Sequence, residues 1–253
     1  MSLSAEERRW LHEIEPDYRY TGDELEQQTL SCFVSPSRGG KSTLISGIVK
    51  AAHNPKFIGE VNTITTRQRR PGEDPAGYRT ADEGVTHDWM LERIHANELV
   101  QWTAFETGDL YATDPQSYPA KHNLLPTQEK ALRMLGRAGF ASMHIIYVVR
   151  PVEDWVKHFP AVITDHKQLG RLQEAEKSLD FAEHTPGIIR VVNYEDPELF
   201  AQTTASLLQI VQTPMEEYRS GTLAPYHEHD FEKHRFAMAE AARELIENAQ
   251  IAA

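Results

Sequence analysis

The sequence predicts an α/β protein with a mostly parallel sheet and helices on both faces. Two observations carry this reading. Short apolar runs of strand length alternate with stretches of helical periodicity. One of those runs, Thr29-Leu30-Ser31-Cys32-Phe33-Val34, leads straight into the Gly-rich turn Ser35-Pro36-Ser37-Arg38-Gly39-Gly40 and then Lys41-Ser42-Thr43. Strands are expected at Thr29 to Val34, Phe57 to Val61, Asn123 to Pro126, Ser142 to Val149 and Ile188 to Asn193. Helices are expected to start at Lys41, Asp82, Thr127, Val152, Lys167 and Pro197. The segment from about 62 to 113 breaks the alternation with polar turns and short strands, as an inserted lobe would.

The turn at 35–43 has the chemistry of a phosphate-binding loop. A strand delivers the chain into glycines that let successive N–H groups point inward, and a helix N-terminus then faces the same spot. Ser37, Arg38, Gly39, Gly40, Lys41, Ser42 and Thr43 are the candidate ATP contacts. Lys41 is placed to reach the outer phosphates, and the Ser42 hydroxyl to ligate Mg²⁺. Ser35 stands where such loops usually open on glycine, so its backbone must accept a Cβ there.

Downstream, Thr65-Thr66-Arg67-Gln68-Arg69-Arg70-Pro71-Gly72-Glu73, Gly77-Tyr78, Gln101-Trp102 and Gly108-Asp109-Leu110-Tyr111-Ala112-Thr113 follow in order. This series resembles the guanylate kinase family, and the resemblance runs from the phosphate loop to about residue 213. It implies a P-loop NTPase-type kinase domain over 29–213, with a monophosphate lobe at about 62–113 and a short lid at about 157–170. Residues 1–28 and 214–253 would be helical extensions. It also implies ATP and Mg²⁺ as cofactors and a nucleoside monophosphate as acceptor, held by Thr63, Arg67, Arg70, Tyr78, Gln101, Tyr111 and Thr113. Two guanidinium forks with tyrosine hydroxyls suit a phosphate dianion on physical grounds as well. Gly170-Arg171-Leu172 and Ile189-Arg190-Val191-Val192-Asn193 match the family's Arg-Leu helix and its strand ending in Asn. On that likeness Arg171 joins Lys41 as a catalytic cation, and Asn193 lies near the ATP base.

The chain departs from the family in three places. The lid stretch Lys157-His158-Phe159-Pro160-Ala161-Val162-Ile163-Thr164 holds no arginine, whereas such cations can be worth ~10³ or more in rate. Leu124-Leu125-Pro126-Thr127-Gln128 holds no carboxylate where the family has an Asp, and Thr127 occupies that place. Gln101 replaces a Glu that accepts from guanine, so guanine preference is not implied. GMP or dGMP is the first-choice acceptor. Two alternatives stay open: a guanylate-kinase-like module that binds a phosphorylated ligand without transfer, and a kinase for another nucleotide or ribose bisphosphate.

The net charge of −12 over 253 residues argues against a nucleic-acid surface. A single cysteine, Cys32, gives no disulfide framework, and no apolar run approaches a membrane span; a cytoplasmic protein is expected. Ser4 with Glu7 reads as a capping box opening a helix over residues 4 to 15. Phe231, Met238, Ala242 and Leu245 form one apolar helical stripe, which either packs back on the domain or pairs with a second subunit. His227, His229, Asp230 and His234 offer metal-ligand chemistry, although His and Asp before a helix more often serve as caps.

Overall fold

The computed structural model describes residues 3–73, 77–105, 108–160, 163, 166–213 and 230–251. The architecture is α/β, with a mostly parallel five-stranded sheet accompanied by helices. Its strands are β1 (Thr29–Val34), β2 (Ile58–Glu60), β7 (His122–Pro126), β8 (Ser142–Val149) and β9 (Ile189–Val192), in the order β2-β7-β1-β8-β9. The pairs β2–β7 and β8–β9 are parallel. Both the first strand and the Ser142–Val149 strand begin and end where the hydrophobic pattern puts them. In β1 every residue after Thr29 is buried, as expected of a strand covered on both faces.

A second sheet, β4-β3-β6-β5, is built from β3 (Thr63–Thr65), β4 (Tyr78–Arg79), β5 (Gln101–Ala104) and β6 (Leu110–Thr113). All of it lies inside the segment that broke the strand–helix alternation. The chain divides into two compact units. The first comprises residues 1–30, 54–125 and 130–143, and the second comprises 31–53, 126–129 and 144–253.

In the first unit, helix α1 (Ala5–Ile14) carries the expected capping box, in which Ser4 Oγ accepts from Glu7 N and Glu7 returns to the Ser4 N–H. Its Leu11 joins Ile64, Trp102, Leu110 and Ala112 of the second sheet in one core, completed by Met90 and Ile94 of α3 (His87–His95). The helix expected at Asp82 is only a 3-10 turn over Ala81–Glu83. Gly84, at φ +85°, ends it, and α3 starts afresh behind the Thr86 cap. The helix expected from Thr127 is likewise reduced to a 3-10 turn and the short α4 (Leu132–Leu135), which stops at Gly136.

In the second unit, α2 (Lys41–Ala52) packs on α7 (Pro197–Gln212), and Gly47 allows the approach, since a Cβ there would lie 2.9 Å from the Phe200 ring. Short α5 (Val152–Val156) and long α6 (His166–His184) precede β9, and α6 begins one residue before the expected Lys167. The last helix, α8 (Phe231–Ile251), packs on α6 and α5. Phe231, Met238 and Ala242 are fully buried as the stripe predicts, while Ile246 rather than Leu245 is buried in the next turn. The stripe therefore covers the chain's own second unit.

Candidate functional site

The loop after β1 forms one wall of a cavity of about 390 Å³ in the second unit. Ser35, Arg38, Gly39, Gly40, Lys41, Ser42, Thr43, Arg150 and His158 line it. Gly40 has φ +90° and serves as the N-cap of α2 without any side-chain cap, which leaves the first-turn N–H groups of the helix for another partner. Arg38 is also left-handed, at φ +67°, and its guanidinium lies 5.0 Å from the Phe159 ring centroid.

Ser35 is not among the left-handed residues, so the serine at the loop's opening carries its Cβ without strain. Its side chain explains a later glycine instead: a Cβ on Gly39 would stand 2.7 Å from Ser35 Cβ. The indole of Trp155, on α5, pins the loop by donating to the Ser37 carbonyl at 2.9 Å.

Lys41 Nζ donates to the Ser35 carbonyl at 3.4 Å. Burial lowers the pKa of this ammonium to about 8, and the charges of Glu129 and Glu174 offset part of the fall. Glu129 is therefore a carboxylate whose charge reaches Lys41. It sits two residues beyond Thr127, which is itself buried and held by its N–H to the Phe33 carbonyl at 2.9 Å. Ser42 and Thr43 are exposed in the first turn of α2 and line the cavity.

The other expected residues of this unit divide. Asn193 is buried against Gly40: a Cβ on that glycine would be 1.9 Å from its Nδ2. It therefore stands beside the glycine loop. Arg171 is exposed on α6 and is not among the cavity's lining residues. His227 and His229 lie outside the described residues. Asp230 accepts from Tyr194 Oη at 3.1 Å and His234 stands edge-on to the Tyr194 ring, so both have structural contacts. The described residues that do come within ligand distance of one another, Asp180, Glu183 and His184, are exposed on α6.

The first unit gathers the expected acceptor residues by strand register. Thr63 pairs with Tyr78, Thr65 with Tyr111, Thr103 with Tyr111, and Gln101 with Thr113. Directly opposed residues share a face, and residues two apart along a strand share it too. Tyr78, Thr63, Tyr111, Thr113 and Gln101 consequently line one side of the sheet, while Ile64, Trp102, Leu110 and Ala112 fill the core on the other. Gln101 and Thr113 are buried on their face.

Arg67 and Arg70 follow β3 but are not equivalent. Arg67 Nε donates to Tyr111 Oη at 2.8 Å, Nη1 donates to Glu73 and to the Gln68 carbonyl, and Nη2 donates to the second Glu73 oxygen. Its guanidinium lies 4.8 Å from the Tyr78 centroid. Glu73 thus holds one of the two forks expected to meet a phosphate, and the hydrogen bonds from Arg67, with its charge, in turn lower the pKa of the Glu73 carboxyl. Arg70 is exposed, and its charge also acts on Glu73. Sequence reasoning did not single out Arg150, Trp155 or Glu129. The signal for Arg150 was its position directly after a core strand, where α/β proteins commonly place ligand contacts.

No protein-family model and no curated protein matches the chain.

Proposed function

We propose that the chain is an ATP-dependent nucleoside monophosphate kinase resembling guanylate kinases, built on a P-loop-type fold with a monophosphate lobe. The observation that carries this reading is the glycine loop that opens a cavity at the uncapped start of α2, with Lys41 and Ser42 on its wall. That arrangement suits a polyphosphate: backbone N–H groups, a helix terminus and a lysine converge where negative charge would sit. Ser42 would hold Mg²⁺, which when bound screens the phosphate charges. The polar face of the second sheet, with Arg67 and Arg70 beside it, supports a phosphorylated acceptor.

In the reaction, an ionised phosphate oxygen of the acceptor attacks the γ-phosphorus of ATP. The bond to the β–γ bridging oxygen breaks and ADP leaves with that electron pair, so no general base is needed. The neutral Gln101 leaves the choice of base open between guanine and the others.

A second reading is a phospholigand-binding module without transfer. It is favoured by Arg171, which is exposed away from the cavity lining, and by Glu73, which occupies the Arg67 fork. A coupled ATP-consumption assay across the common ribo- and deoxynucleoside monophosphates decides between them. Acceptor-dependent ADP release that disappears in Lys41→Ala is expected; monophosphate binding without any ADP release would establish the module instead.

A further inference from the structure

The arginine that the stretch 157–164 lacks has a counterpart elsewhere in the second unit. Arg150 is the first residue after β8, and three separate segments fix it. Its backbone N–H donates to Met238 Sδ at 3.4 Å, its Nη1 to His158 Nε2 at 2.6 Å, and its Nη2 to Glu195 Oε1 at 3.2 Å. The side chain is 11 % exposed and lines the cavity of the glycine loop. Its Nε is buried with no hydrogen-bond partner among the described residues, and lies 3.8 Å from where a Cβ on Gly40 would be. Both polar side-chain atoms of Asn193, on the same side of Gly40, are also buried and without a partner. Buried donors left unpaired are costly, and two of them, Arg150 Nε and Asn193 Nδ2, gathered round one glycine call for a ligand.

We propose that Arg150, with Asn193 beside it, forms a second anion subsite of this cavity, which receives the outermost phosphate of a bound nucleoside triphosphate. The proposal rests on the reading of the loop as an ATP site. A planar fork suits a terminal phosphate, whose three oxygens can take paired N–H bonds. Glu195 does not compete strongly for that fork: it is 47 % exposed, so its carboxylate can return to water when a phosphate arrives. His158 accepts from Nη1 through a ring lone pair and so orients the guanidinium without neutralising it. An arginine on the end of a core strand thereby supplies charge that related enzymes would take from a lid.

Calorimetric titration of the full chain with tripolyphosphate, MgATP and MgADP tests this, using wild type, Arg150→Ala, Arg150→Gln, Arg150→Lys and Glu195→Gln. Arg150→Ala should weaken tripolyphosphate and MgATP binding tenfold or more and MgADP binding less than threefold. Arg150→Lys should recover part of the loss, and Arg150→Gln serves if the alanine variant does not fold. Glu195→Gln should bind MgATP at least as tightly as wild type. Unchanged MgATP affinity in both neutral Arg150 variants overturns the subsite, and equal losses for MgATP and MgADP overturn its assignment to the outermost phosphate. Glu195→Gln as damaging as Arg150→Ala shows that the arginine acts only through its ion pair. Should wild type bind tripolyphosphate through Arg150 but transfer no phosphate, the kinase reading falls and the subsite stands; if it binds no polyphosphate, both fall.

Discussion

Burial brings the Lys41 pKa down to about 8, so this ammonium is charged below that pH and progressively neutral above it. Only the charged form attracts a phosphate. Affinity for MgATP should therefore fall as pH rises from about 8 to 10, a range in which ATP itself stays fully ionised. Lys41→Arg, whose guanidinium remains protonated throughout, should remove that dependence even if transfer is lost. Calorimetric titrations at pH 7, 8, 9 and 10 read this directly, and an equal pH slope in both proteins would assign the titration to another group. The two arginines of the first unit make a contrasting pair. Arg67→Ala strips partners from Glu73 and Tyr111 and should cost about 1–3 kcal/mol of stability. Exposed Arg70→Ala should leave the urea midpoint nearly unchanged but weaken monophosphate binding by about 1.5–3 kcal/mol. The Glu73 carboxyl, whose native pKa is lowered from 4.5, contributes stability that is present above that value and is lost as pH falls through the lower native one. Arg67→Ala should accordingly flatten the acid limb of the stability profile.

At the scale of elements, the strand register does the selecting. Alternation along β3, β5 and β6 sends apolar Ile64, Trp102, Leu110 and Ala112 to the core and polar Thr63, Gln101, Tyr111 and Thr113 to the opposite face. Gln101 lies on β5. Glu98, in the preceding loop, is exposed and pairs with Arg93 at 3.4 Å. Gln101→Glu should raise the rate ratio of GMP to AMP about tenfold, the worth of removing one buried polar mismatch of ~1–3 kcal/mol. Relative rates for GMP, dGMP, AMP, CMP and dTMP in both proteins check it. An unchanged ratio would place the base away from Gln101.

Across the whole molecule, the last helix is part of the second unit's core. Phe231 is fully buried at 6.0 Å from the Tyr147 ring, and Met238 meets the backbone of Arg150. Phe231→Ala should lower stability by about 3–5 kcal/mol, measured by urea unfolding, because a large aromatic leaves a cavity in a packed interior. A loss below 1 kcal/mol would mean that α8 is a dispensable extension.

The elements whose ends were legible were those with a local physical cause. A continuous apolar run set β1 and β8, a Ser-x-x-Glu box opened α1, and a glycine turn before Lys41 opened α2. The helices expected at Asp82 and Thr127 were misplaced because glycines cut them short, Gly84 in a left-handed conformation after Ala81–Glu83 and Gly136 after the short α4. The residue types of both candidate sites could be read from the chain, since phosphate chemistry demands glycine, lysine and arginine at close spacing. Their pairings could not. That Glu73 occupies Arg67, that the Glu129 charge reaches Lys41, and that Arg150 and Asn193 meet at Gly40 are relations between residues from 6 to 153 positions apart. The sequence alone determined an α/β chain with a glycine-rich loop leading into the helix that opens at Lys41, and a polar-faced insert. Which charges are buried, paired or left facing a cavity was decided by tertiary packing, because electrostatic strength depends on distance and desolvation that no local pattern encodes.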